Sequence, residues 1–160
     1  MRKLKLYLET SAIAYLFAFD VHDKMEDSNR LWHDFEAGKY DLFISPLVMD
    51  ELVRMADPKR SKIFQKLEHI SFQCLSKTEG VDRLAKEYVY SGVFNAKRYD
   101  DCLHIAFAAV HDCDIVLSWD FKHLVNYKAI HKIKLANAMN HYRDISVISP
   151  TMLIEEDDEL

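Results

Sequence analysis

The chain has 160 residues, an apolar fraction of 49% and a formal charge of −5, from 21 Lys plus Arg against 26 Asp plus Glu. That length fits one domain with a packed core, and the acidic balance excludes a protein that holds nucleic acid through a general basic surface. Three cysteines without CxxC spacing argue against a disulfide framework or a structural zinc site, and no apolar run approaches the roughly 18 residues of a membrane span. Residues 1–5 lead directly into a strand-like segment and not into a signal-peptide core, so the expectation is a soluble, cytoplasmic protein with no membrane association.

Leu4, Leu6 and Leu8 alternate with Lys5 and Tyr7, the period of a strand, and Glu9-Thr10-Ser11 follows at its carboxyl end. The apolar run 12–17 predicts a helix capped by Thr10 or Ser11. Met25, Leu31, Trp32 and Phe35 keep a loose helical spacing that ends at Gly38, the residue expected just past a helix terminus. Residues 42–45 read as a second strand. Pro46 suits the first turn of a helix that carries Glu51 among core-facing positions, where a sheltered acid needs a partner. Residues 57–67 form a short helix whose Lys59, Arg60, Lys62 and Lys66 are read as solvated. A third strand is predicted over 70–75, and Ser76 to Glu79 offers a capping pattern for a helix through Val89.

The stretch 98–126 carries the strongest signal. Asp101 stands in the first turn of a mostly apolar helix, and Asp120 stands just beyond the strand Ile115-Val116-Leu117. A final long helix is predicted over 130–142 and a fifth strand over 145–148, stopped by Pro150. Alternating strands and helices imply a single α/β domain over residues 1–154, an α/β/α sandwich around a five-stranded, largely parallel sheet. The acidic tail 155–160 is expected to lack fixed structure.

Four acids therefore stand at structured corners: Glu9, Glu51, Asp101 and Asp120. If they converge, their mutual repulsion calls for a hard cation among them, magnesium or manganese, and such a site can hydrolyse a phosphodiester. Arg98 and His104, each three residues from Asp101, are supporting candidates: Arg98 for neutralising acids or gripping phosphate, His104 for orienting an acid or simply packing. His111 and Cys113 offer two zinc-type ligands without a second pair, which is weak evidence.

Leu8-Glu9-Thr10-Ser11, Ile44-Ser45-Pro46 through Glu51-Leu52, Asp101 to Ala106, Leu117 to Leu124 and Ile148-Ser149-Pro150 together resemble the PIN-domain family, in particular its VapC-like toxins. The resemblance runs over nearly the whole chain in the right order. It implies a five-stranded parallel sheet between helices and a divalent-metal-dependent endoribonuclease. It also implies a small antitoxin partner and a homodimer. The family's acidic positions fall on Glu9, Glu51, Asp101 and Asp120, and its Ser/Thr beside the last acid falls on Ser118. Where the family usually has Asp, this chain has Glu9, whose additional methylene disturbs a near-octahedral magnesium shell. Two other readings compete. A phosphoacceptor receiver needs a lysine that Ile148-Ser149-Pro150 does not supply. A non-catalytic PIN-like module, binding RNA or protein, would keep the acid pocket while Glu9 spoils its chemistry.

Overall fold

A computed structural model describes residues 2–158 of the chain. Its strands are β1 (Lys5–Leu8), β2 (Asp41–Ile44), β3 (Gln73–Cys74), β4 (Ile115–Leu117) and β5 (Ser146–Ile148). They form one sheet in the order β3-β2-β1-β4-β5, with every pairing parallel. Leu6, Tyr7 and Leu8 are buried without interruption, as are Ile115, Val116 and Leu117. Strands buried on both faces need helices over both faces, and a parallel sheet is built that way because each crossover deposits a helix on one of them.

The helices are α1 (Thr10–Ala14), α2 (His22–Glu36), α3 (Pro46–Val53), α4 (Lys59–Leu67), α5 (Glu79–Tyr90), α6 (Tyr99–Val110), α7 (Tyr127–Met139) and α8 (Pro150–Asp158); single 3-10 turns follow α1 and precede α6. From β1 the chain builds outward to β2 and β3, then returns to add β4 on the other side of β1. The strand order thus reverses between β1 and β4. In open parallel sheets the crevice beyond the carboxyl ends at such a reversal is where ligands bind. The register pairs Leu8 with Leu117, so the residues that follow, Glu9 and Ser118, emerge side by side at that edge.

Several predicted boundaries shift, each for a local reason. The first helix is capped by Glu9, whose carboxylate accepts the Ser11 N–H, and not by Thr10 or Ser11. Thr78 rather than Ser76 caps α5, its hydroxyl accepting the Val81 N–H. The third strand shrinks to two residues at the sheet edge. Helix α7 begins at Tyr127 because Asn126 accepts the Ala129 N–H, and His141 at φ 64° ends the segment. Pro150 does stop β5, but it also opens α8, which the sequence reading did not foresee. Ser149 Oγ accepts the Met152 N–H there, as Ser45 Oγ accepts that of Val48 at the start of α3. The backbone of 155–158 belongs to α8, and the rest of the acidic tail lies outside the described residues.

Candidate active site

Glu9 is buried at the amino end of α1, and three donors fix its carboxylate. Ser11 Oγ and Ser118 Oγ each donate to Oε1 at 2.6 Å, and the Ser11 N–H reaches Oε2 at 3.2 Å. The two hydroxyls are themselves held: Ser11 Oγ accepts the Trp119 N–H and Ser118 Oγ accepts the Asp120 N–H. The end of β1 and the turn after β4 are thereby laced together, and Glu9 and Asp120 are connected through one hydroxyl. Ser118 thus contacts a carboxylate directly.

Asp120 accepts the N–H of His123 at 3.0 Å on Oδ1 and faces its Nδ1 at 3.3 Å with Oδ2. Asp101, in the first turn of α6, points to the same place: Asp101, Asp120 and His123 each offer a ligand atom, and these atoms lie within 4.8 Å of one another. His123 is a site residue that the sequence reading did not assign. An Asp-x-x-His spacing was the available signal, since a turn of three residues returns the side chain to the carboxylate.

Glu51 is half-buried on α3. Its Oε1 accepts from Thr10 Oγ1 at 3.0 Å and pairs with His104 Nε2 at 2.7 Å. Behind His104, its Nδ1 lies 2.7 Å from the Tyr7 hydroxyl, which in turn lies 2.8 Å from Ser45 Oγ. Tyr7, Ser45 and His104 are fully or nearly fully buried. This polar column runs from the cap of α3 through the central strand to the acid on the surface side. The sheltered acid does have its partner, and His104 both packs and orients an acid.

The electrostatics show that the acids share one field. Burial first, then the charge of Asp120 and also that of Glu9, push Asp101 up to about 6. The imidazole of His104 is desolvated, which disfavours its charge, yet the hydrogen bond to Glu51 and the charges of Glu9, Glu51 and Asp101 overcome that and raise its pKa. Burial would raise Glu51 too, but the hydrogen bond and charge of His104 and the Thr10 hydroxyl hold it below the ordinary carboxylate range. Opposite directions on the two partners describe one ion pair, His104⁺ with Glu51⁻.

Arg98 is the exception among the predicted residues. It is exposed, pairs with no carboxylate among the described residues and lines a neighbouring cleft with Lys122, His123, Lys128 and Lys132. His111 bonds to the Ser76 carbonyl and Cys113 is buried, so they form no metal cluster with each other.

The donor set suits a divalent cation. Three carboxylates crowded enough to push one of them up to about 6 are in deficit of positive charge, and Asp101, Asp120 and His123 offer oxygen donors with one nitrogen within 4.8 Å of one another. A model of the PIN domain matches residues 6–128. No curated protein matches the chain. Among solved structures, the VapBC2 complex of Rickettsia felis bound to a DNA fragment from its promoter is similar at 14% identity and a TM-score of 0.54. That match covers 91% of this chain and 98% of the other. The VapBC-1 structure of nontypeable Haemophilus influenzae is similar at 13% identity and a TM-score of 0.57, covering 92% and 99%. The reversal point between β1 and β4, the acids gathered there and a family match that spans both lead to one statement: the chain belongs to the PIN-domain family.

Proposed function

We propose that this protein is a divalent-metal-dependent endoribonuclease and the toxin of a toxin–antitoxin pair. The observation that carries the reading is the meeting of Asp101, Asp120 and His123 within ligand distance of one another, with Glu9 close enough to raise Asp101. Glu9, Asp101 and Asp120 would hold magnesium or manganese, with Glu51 beside them binding directly or through water. A cation held there would supply neutralisation of these acids and Lewis acidity toward the scissile phosphate and a water.

The chain's own residues then have separable tasks. Ser11 and Ser118 hold Glu9 in one orientation, and the backbone N–H of Asp120 locks Ser118 in turn. Glu51 is kept ionised by His104 and Thr10 through Oε1, which leaves Oε2 without a protein donor among the described residues. We assign that oxygen to positioning an attacking water. Tyr7 and Ser45 fix the imidazole ring and so act through His104.

The two similar structures named above are VapBC structures, and the resemblance implies an antitoxin that covers the acid pocket, a homodimer and a cytoplasmic setting where RNA is available. No helix among the described residues is long and apolar enough to cross a membrane. The alternative, a non-catalytic PIN-like module, rests on Glu9 standing where the family usually has Asp.

The test is cleavage of single-stranded RNA by purified protein free of any inhibitor, in magnesium and in manganese. Cleavage in at least one ion, reduced at least 100-fold by Asp101→Asn, is the expected result. Uncut RNA in both ions, together with binding of neither ion, overturns the reading.

A further inference from the structure

Two clefts border the acid cluster, one through His123 and the other through Glu9 and Asp120, and Lys122 lines both. On one side Arg98, Lys122, Lys128 and Lys132 converge with His123 around a cleft of about 360 Å³ that no carboxylate lines. Arg98, Lys122 and Lys128 are exposed and have no carboxylate partner among the described residues, while the Lys132 ammonium donates to the Gly92 carbonyl. Four cations gathered without counter-charge are unusual in a chain whose net charge is −5. Left unpaired, they repel one another, and an anion relieves that repulsion.

On the other side the cleft that contains Glu9 and Asp120 is walled by aromatic rings. Trp119 is anchored by its indole N–H on Ser28 Oγ and stacked against Tyr15 at 5.8 Å and 17°. Phe121 packs edge-on against Trp119 and leaves 44% of its surface exposed. The Lys24 ammonium stands 5.0 Å from the Phe121 ring centre and 5.9 Å from that of Trp119. An exposed ring on a rigid aromatic base, with the Lys24 ammonium over one of its faces and close to half of its surface still open, suits a flat heterocycle attached to phosphate.

The geometry points to a track for an unpaired RNA strand: Phe121 receives a nucleobase on one side of the acids, and Arg98, Lys122, Lys128 and Lys132 receive the phosphates on the other. This deepens the nuclease reading and rests on it for the placement of the scissile phosphate between the two clefts. It also restricts the substrate. A base that stacks on Phe121 must leave its own helix, so paired RNA presents phosphates but no free ring face.

The experiment uses the full chain with Asp101→Asn to prevent turnover and a 12-nucleotide RNA, followed by Trp emission. Titration should quench the emission with the single strand and bind the same sequence as a duplex at least tenfold more weakly. Phe121→Ala should weaken the single strand by about 5- to 100-fold with an unchanged salt slope, and Phe121→Tyr should restore binding. Lys128→Ala with Lys132→Ala should instead flatten the slope of log Kd against log salt by about 1.4, the value for two phosphate contacts on a single strand. Equal affinity for duplex, equal affinity for a polyglutamate peptide, or no effect of Phe121→Ala overturns the track. Failure here is separable from failure of the nuclease reading: cleavage with an inert Phe121 removes only the track, whereas strand-selective binding without cleavage in either metal removes only the chemistry.

Discussion

Glu9 shows how one methylene is absorbed. Its longer side chain lets the carboxylate cap its own helix and still take hydroxyls from Ser11 and Ser118 at 2.6 Å, while its charge remains close enough to raise Asp101. Glu9→Asp must withdraw from at least one of these donors, a loss of about 1–2 kcal/mol by chemical unfolding. Its cleavage rate should stay within about tenfold of the natural protein under the nuclease reading. A large gain confined to Glu9→Asp would support the non-catalytic alternative instead. Asp101 carries a second residue-scale consequence. A carboxyl whose folded pKa is raised binds its proton more tightly when folded, so its contribution is intact below about pH 4 and is lost as pH rises toward 6. Without divalent cations, Asp101→Asn should therefore be more stable than the natural protein at pH 7, by about 1–3 kcal/mol, with the gap closing near pH 4. Thermal melts with EDTA across that range check it, and manganese should narrow the gap by stabilising only the natural protein. Equal melting points at pH 7 would mean that the acids do not strain one another.

Elements, in turn, are tied at the edge of the sheet opposite the site. Asp114, just before β4, accepts two bonds from the Arg2 guanidinium at 3.0 and 2.7 Å, the Lys5 N–H at 2.8 Å and one bond from Arg143 at 3.0 Å. Although burial works against its charge, the bonds from Arg2, Lys5 and Arg143 pull Asp114 down to about 2. Because the folded pKa is depressed, this stabilisation is complete above the unfolded value near 4 and disappears as pH falls through 2. Asp114→Asn should cost about 2 kcal/mol at pH 7 and little at pH 2, read by urea unfolding at both pH values. Such a clamp aligns the starts of β1 and β4, and the parallel register then delivers Glu9 and Ser118 side by side at the far edge. The paired Ile-Ser-Pro segments teach the same lesson at element scale. Each opens a helix, α3 or α8, yet Pro150 reads as a mere stop because a proline ends a strand and begins a helix with one and the same restriction on φ.

The whole molecule separates what could be read along the chain from what could not. Strand period, proline and glycine punctuation and the buried runs at 42–44 and 115–117 are properties of neighbours in sequence, and they carried the α/β class, all five strands and seven of the eight helices among the described residues. Glu9, Glu51, Asp101 and Asp120 were legible as candidates because each stands at the end of a strand or within a turn of one helix. Their spatial relation was not: Glu9 and Asp120 reach the field of Asp101 through the reversal of strand order between β1 and β4, while Glu51 comes to Thr10 and His104 from the helix after β2. For the same reason the Ser45-Tyr7-His104-Glu51 column escaped detection, since Tyr7 reads as an ordinary strand residue until β1 is known to be central. The return of His123 to Asp120 also depends on which way a turn directs its side chains. The amino-acid order by itself determined which segments bury their apolar faces and which acids stand at their ends, because those are local hydrophobic and capping preferences. Only the tertiary structure decided which charges share a crevice, because electrostatic coupling depends on distance through space and the chain's length says nothing of that until the sheet is assembled.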